Sequence, residues 1–423
     1  MKKYPVGIQS FEKIRTDGYL YVDKTPFIYK MITEGCPYFL SRPRRFGKSL
    51  LVSTLAALFE GRRELFEAFK TENGIEQPQL FIATTNWRWE KFPVIRFDFS
   101  KDLLGIDELD LLIDKTLERY EQQYGIVPEE KNAFLRMDTL VRTAHKETGK
   151  RVVLLVDEYD KMMLHSIGDD EMAKAVKARF KNLFSPLKDL DEHLELVFIT
   201  GISKFSQMGV FSTINQLDNI SLKTDYEAIC GITENELTTL LRPDIEMLAT
   251  KRGETYDETL AELKRMYDGY HFSKGMTDIY NPFSLVSAFR SGELLDYWFE
   301  SGTPSALIEM LAKMPPIELT DVDGICCRSD VFNVAFQSYD QPLPVLYQSG
   351  YLTLKSYRRD RDMYTLGFPN AEVQTGFANS LYQHTTCPLS SRPLRHSTLA
   401  CPISGKRTTA TSITITPCST HCS

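Results

Sequence analysis

The sequence predicts an α/β fold built on a parallel sheet with helices on both faces, and three observations carry it. The first is a short apolar strand, Tyr38-Phe39-Leu40, that runs through a basic turn into Gly47-Lys48-Ser49 at the start of a helix. The second is Arg151-Val152-Val153-Leu154-Leu155-Val156, an apolar run that ends in Asp157 and Glu158. Such a run suits a central parallel strand buried on both faces. The third is the alternation of strands with helical patterns between residues 38 and 201, which argues for βαβ units.

The glycine-lysine-serine turn is what a polyphosphate needs. Backbone N–H groups of the turn and of the first helical residues, Arg44, Arg45, Phe46, Gly47, Lys48, Ser49 and Leu50, point at the ligand. Lys48 adds a point charge for the outer phosphates, and the Ser49 hydroxyl can ligate Mg²⁺. Where the P-loop pattern G-x-x-x-x-G-K-[ST] has its first glycine, this chain has Arg42. Taken alone, the segment also reads as a basic strand-to-helix turn. The acidic strand end, about 110 residues later, decides between the two. Burying Asp157 is costly without a partner, and a phosphate-bound Mg²⁺ supplies one. In this reading Asp157 holds the metal, and Glu158 orients and polarises the attacking water.

Leu50, Leu51, Leu55 and Leu58 continue the helix after the turn, and Gly61 stops it. Residues 92–100 read as the next strand, and 107–124, 129–147 and 170–184 as helices. Leu194 to Gly201 is a second buried strand. Thr200 lies at its end, where it can touch the γ-phosphate or bond the local backbone, and Ser203 and Lys204 follow. Ahead of the loop, residues 18–26 read as a strand leading into a helix near Pro26, which either wraps a base or covers the sheet edge.

From residue 232 the pattern becomes helical. Thr233 and Glu236 form a capping pair, and 233–250, 256–268, 283–292 and 304–313 read as helices. Two strands, 351–357 and 363–367, flank the turn Arg358-Arg359-Asp360-Arg361-Asp362, a hairpin behind helices as in a winged helix. Its tip reads as a nucleic-acid contact or as a solvated turn. The expected organisation is a P-loop domain over 1–231, a helical, winged-helix-like region over 232–384, and a disordered tail over 385–423.

Composition is that of a soluble protein, 42% hydrophobic and 25% charged with a net charge of −7. It gives no global attraction to nucleic acid. No segment approaches the ~18 apolar residues of a membrane helix, and no signal-peptide core follows Met1, so the expected location is cytoplasmic. The eight cysteines include no CxxC pair.

Several separate motifs together resemble the AAA-ATPase-like family of bacterial P-loop proteins. They are Tyr21-Val22-Asp23-Lys24-Thr25, Arg42 to Ser49, Leu155 to Lys161, and Thr200 to Phe205. Tyr267-Asp268-Gly269-Tyr270, Tyr280 to Ser284, Tyr297-Trp298-Phe299, Gln348 to Thr353 and Gly367 to Asn370 continue the match, which spans roughly residues 4–383. The resemblance implies ATP and Mg²⁺ as ligands, with Lys48, Ser49, Asp157 and Glu158 in the usual roles. It also accounts for Arg42, because the family's loop is arginine-rich. Members usually carry a C-terminal nuclease domain of the PD-(D/E)XK type. Here the stretch after His384 is rich in Ser, Thr, Pro and Cys and has no acidic residue, the last being Glu372. That break reads as an out-of-frame translation in place of the nuclease; a zinc site from Cys401, Cys418, His421 and Cys422 is the rival.

The functional expectation is ATP binding with Mg²⁺-dependent hydrolysis, coupled to a conformational change in the C-terminal region. Two alternatives stand beside it: a module that holds nucleotide without turnover, and the regulatory part of a nucleic-acid-directed effector. A protein or nucleic-acid partner would be met through residues 232–384.

Overall fold

The computed structural model describes residues 3–35, 37–128, 131–166, 169–203, 217–300, 323–333 and 342–385. Lys204, residues 211–216, the expected helix 304–313 and all but the first residue of the tail lie outside them.

Five parallel strands form the central sheet: β1 (Tyr38–Ser41), β2 (Val94–Asp98), β3 (Val152–Asp157), β4 (Leu194–Gly201) and β5 (Asp218–Asn219). Their order across the sheet is β2-β3-β4-β1-β5. All carboxyl ends therefore share one edge, and β4 separates the strand of the phosphate turn from the acidic strand. Every residue of β3 is buried. Val153 and Leu155 face one core and Val152, Leu154 and Val156 the other, the two-residue period of a strand covered on both sides.

On the first face lies α3 (Lys48–Phe59), with Leu51, Val52, Leu55 and Leu58 against Val153, Leu155, Leu196 and Phe198. α1 (Phe11–Thr16), capped by Ser10, and α2 (Thr25–Glu34) join it. The sequence around Phe11 shows no clear period, yet Phe11 and Ile14 bury completely in this helix. The strand expected before α2 reduces to a single bridge, Lys3 to Tyr19. The opposite face carries α4 (Ile106–Gln123), α5 (Ala133–Thr148) and α7 (Asp170–Phe184), while α6 (Lys161–His165) follows the acidic strand end.

The C-terminal region is mostly helical: α8 (Glu234–Leu240), α9 (Arg242–Arg252), α10 (Tyr256–Tyr267), α11 (Pro282–Ser291), α12 (Tyr297–Glu300), α13 (Ser329–Phe332), α14 (Pro342–Ser349) and α15 (Ala371–Thr385). Thr233 caps α8 in the expected box with Glu236. The single helix expected over 233–250 is instead two, because Pro243 sits in the first turn of α9 and cannot continue the preceding ladder. A two-stranded ribbon, β6 (Ile232–Thr233) with β7 (Ile279–Tyr280), ties this region together. The hairpin, β9 (Thr353–Arg358) and β10 (Met363–Gly367), gains a third antiparallel strand, β8 (Ile325–Cys327). The α3-side core runs without a break into this region through Phe46, Tyr270, Phe272, Trp298 and Tyr351. Among the described residues, no helix is long and apolar enough to cross a membrane.

Candidate nucleotide site

The phosphate turn leaves β1 at Ser41, with Arg42 N–H still donating to the Gly201 carbonyl across the sheet edge (3.2 Å). Two left-handed residues close it: Arg45 at φ 63° and Gly47 at φ 92°. Gly47 is the N-cap of α3, a conformation that costs glycine least. The N–H groups of the first turn of α3 thus have no acceptor within the helix.

Lys48 is 4% exposed, and its Nζ donates to the carbonyls of Arg42 and Pro43, each at 3.0 Å. Asp157 is 1% exposed, and its Oδ1 makes no hydrogen bond. Its Oδ2 lies 3.7 Å from Arg96 Nη2. Burial pushes the Asp157 carboxyl up to about 6; the Ser49 hydroxyl pulls it down, Glu158 raises it, Lys48 lowers it and Asp98 raises it. Lys48, Ser49 and Glu158 therefore all act on the Asp157 carboxyl at one end of the sheet. Glu158 is half-buried and held at φ 50°. Strained backbone at a site-lining residue is a hallmark of functional positions.

Thr200 is fully buried, and its hydroxyl donates to the Leu40 carbonyl (2.9 Å), so the backbone-bonding alternative is what the hydroxyl does. Leu50 is partly buried and packs on the α3-side core. Arg44, Arg45 and Phe46 turn towards the C-terminal region. Arg44 accepts a hydrogen bond at its carbonyl from Trp298 Nε1, Arg45 lies 4.0 Å from the centre of the Phe283 ring, and Phe46 meets Tyr270 and Phe272 edge to face.

Four residues were not singled out from sequence. Asp98 ends β2 directly opposite Asp157 in register, and Arg96 lies two residues earlier on the same side. The alternation of residues 94–98 carries that signal. Asp160 is buried; its Oδ2 accepts from the N–H groups of Ile202 (2.9 Å) and Ser203 and from the Ser203 hydroxyl (2.6 Å). It fixes the turn after β4, and Tyr159 adds a bond to the Ser203 carbonyl (2.7 Å).

The Arg42 backbone carbonyl holds Lys48, but its side chain is engaged with the 220–227 segment. Its guanidinium donates to the carbonyls of Ser41, Ser221 and Tyr226 (2.9, 2.8 and 3.1 Å) and stacks 4.2 Å from the centre of Phe272. The arginine therefore stands where the pattern has its first glycine because it locks the turn to the segment 220–227.

A family model described as "Predicted AAA-ATPase" matches residues 5–211. The chain belongs to the AAA-ATPase-like family. Membership in this AAA-ATPase-like group points to ATP binding and hydrolysis in general terms. The chain is also 35% identical over 390 residues to a protein of Azotobacter chroococcum mcd 1 titled "Uncharacterized protein in vnfD 5'region"; the match covers 90% of this chain and 70% of that protein.

Proposed function

We propose that the protein is an ATP-driven switch, with Mg²⁺-ATP held between the Gly47–Ser49 turn and Asp157, and with residues 232–384 responding to the nucleotide. The meeting of buried Lys48, Ser49 and Asp157 at one sheet edge, with one Asp157 oxygen unpartnered, is the observation that carries this reading. That donor set fits a hard divalent cation: a hydroxyl and a carboxylate, beside a lysine suited to phosphate oxygens. Mg²⁺, when bound, neutralises charge on the phosphates.

In this reading each residue of the site has its own part. Lys48 exchanges its two loop carbonyls for the outer phosphate oxygens. Ser49 and Asp157 hold the cation, and Asp98 keeps the local field negative. Glu158 orients a water and accepts its proton at the carboxylate. Arg44 and Arg45 keep the turn cationic while linking it to the helical region. The response of the helical region is supported by the contacts that Arg44, Arg45 and Phe46 already make with Trp298, Phe283 and Tyr270. A protein or nucleic-acid partner is assigned to that region.

Titration of a fluorescent ATP analogue into wild type and Lys48→Ala tests the binding claim. The expected result is a loss of more than tenfold in affinity, about 1.4 kcal/mol or more. Equal affinities, with both proteins folded, would remove the site.

A further inference from the structure

Three carboxylates from separate segments of the C-terminal region, none of them among the nucleotide-site residues, converge. Glu234 opens α8, Asp268 caps the end of α10 and Asp278 leads into β7, and one oxygen of each lies within 4.8 Å of the others. Asp268 is 1% exposed, yet neither of its oxygens makes a hydrogen bond. Tyr280 in β7 is fully buried, and its hydroxyl makes none either. Tyr280 lies two residues after Asp278, and burial and then the charges of Asp268, Glu234 and Asp278 hold its phenol proton on. Burying a carboxylate or a phenol without a hydrogen bond is costly, and Asp268 and Tyr280 are both in that state.

Lys264 is the cation already near them. Its Nζ is 2.8 Å from Glu234, 3.2 Å from Asp278 and 3.8 Å from Asp268, and its side chain is half-exposed. It therefore serves Glu234 and Asp278 but leaves Asp268 and Tyr280 without a hydrogen bond. His271 is fixed between the Leu354 carbonyl and Asp278, which orients the Asp278 carboxylate. The donors are all oxygen, the set that selects a hard cation over zinc or copper.

We propose that Glu234, Asp268 and Asp278, with Tyr280 behind them, form a binding site for a hard divalent cation such as Ca²⁺ or Mg²⁺, for which the Lys264 ammonium competes. Filling it ties α8, α10 and β7 at one point. Tyr270, two residues beyond Asp268, packs on Phe46 of the phosphate turn with ring centres 4.7 Å apart. Cation loading would thus stiffen the platform on which that turn rests. The site does not depend on the nucleotide reading.

The test is calorimetric titration and thermal melting of the full, nucleotide-free chain with Ca²⁺, up to on the order of 10 mM, the weak end of protein calcium sites. A Ser49→Ala/Asp157→Asn background separates this ion from any at the phosphate turn and is expected to keep the binding. Asp268→Asn should weaken binding about tenfold or more, as loss of one ligand charge implies. Glu234→Gln, at a half-exposed position, should do the same without disturbing a buried group. Lys264→Met should lower the melting temperature in the absence of the ion, and Ca²⁺ should restore it with a higher affinity than in wild type. The proposal is overturned if wild type and Lys264→Met show no saturable binding, or if binding survives both carboxylate substitutions. It is equally overturned if the loss in Lys264→Met is not restored by Ca²⁺, since the lysine is then the sole cation of the cluster.

Discussion

The indole Nε1 of Trp298 donates a 3.1 Å hydrogen bond to the backbone carbonyl of Arg44, joining α12 to the phosphate turn across most of the chain. The Trp298 N–H in turn donates to Glu372 (2.7 Å), which also bonds the Ser284 hydroxyl of α11. On the other side of the turn, a Cβ at Gly350 would lie 2.6 Å from Pro43 Cβ, so the Gly350 backbone packs directly on the Pro43 ring, and Gly350 adopts φ 90°. The outer surface of the turn is therefore packed against several C-terminal segments. Any rearrangement of the turn around phosphate must be met by movement or strain in them.

Trp298→Phe isolates that link. The ring contact with Tyr351, at 5.3 Å between centres, is largely kept, while the Arg44 carbonyl loses its donor. A lost bond of this kind costs about 1–3 kcal/mol. The expected outcome is a lower melting temperature together with an ATP affinity changed by roughly threefold or more. A melting shift with no change in nucleotide affinity would show that α12 supports the fold without sensing the turn.

Restoring the consensus glycine should harm the protein. Arg42→Gly removes a buried fork that bonds carbonyls of β1 and of the 220–227 segment, and with it three hydrogen bonds across that join. The expected loss is about 3 kcal/mol or more, read by urea denaturation. Arg42→Lys keeps a charge but not the planar fork, and should fall between the two. If Arg42→Gly is as stable as wild type, the arginine is not the lock inferred here.

Much of this architecture is legible in the sequence because its signals are local. The runs Val152–Val156 and Leu194–Ile199 announce strands covered on both faces, and the turn at Gly47-Lys48-Ser49 is recognised once it is paired with the acidic end of the first of those runs. Thr233 and Glu236 cap α8 through neighbours three positions apart. The rest depends on partners remote in sequence. Nothing near Arg42 says that its acceptors are Ser221 and Tyr226, and nothing near Glu372 says that it is buried against Trp298. Thr200 could be placed at a strand end, but its choice of the Leu40 carbonyl over a ligand follows from β4 lying beside β1. Asp98 gains its place only once β2 and β3 are in register.

Turnover separates the switch from a module that merely holds nucleotide. Glu158→Gln keeps the shape and the left-handed turn but cannot accept a proton. Loss of a general base typically costs 10²–10⁴-fold. ATP affinity should stay within about threefold of wild type while phosphate release falls at least ~10²-fold. Equal rates of phosphate release would take Glu158 out of the mechanism.

Glu372 makes stability depend on pH in a defined direction. Burial pushes its carboxyl up to about 8; the Trp298 N–H and the Ser284 hydroxyl pull it down, and Asp296 raises it. Between the ordinary value of 4.5 and about 8, the folded chain holds a proton that the unfolded chain has released. Stability from this group is therefore complete below about pH 4.5 and is lost as pH rises towards 8, with a slope of at most roughly 1.4 kcal/mol per unit. Glu372→Gln has no such titration, so the stability difference between wild type and the variant should shift against wild type by a few kcal/mol from pH 5 to pH 8 and flatten above that. Urea denaturation of both proteins across that range reads the difference directly; parallel profiles would mean that the carboxylate is already ionised at neutral pH and that Trp298 and Ser284 hold a charge.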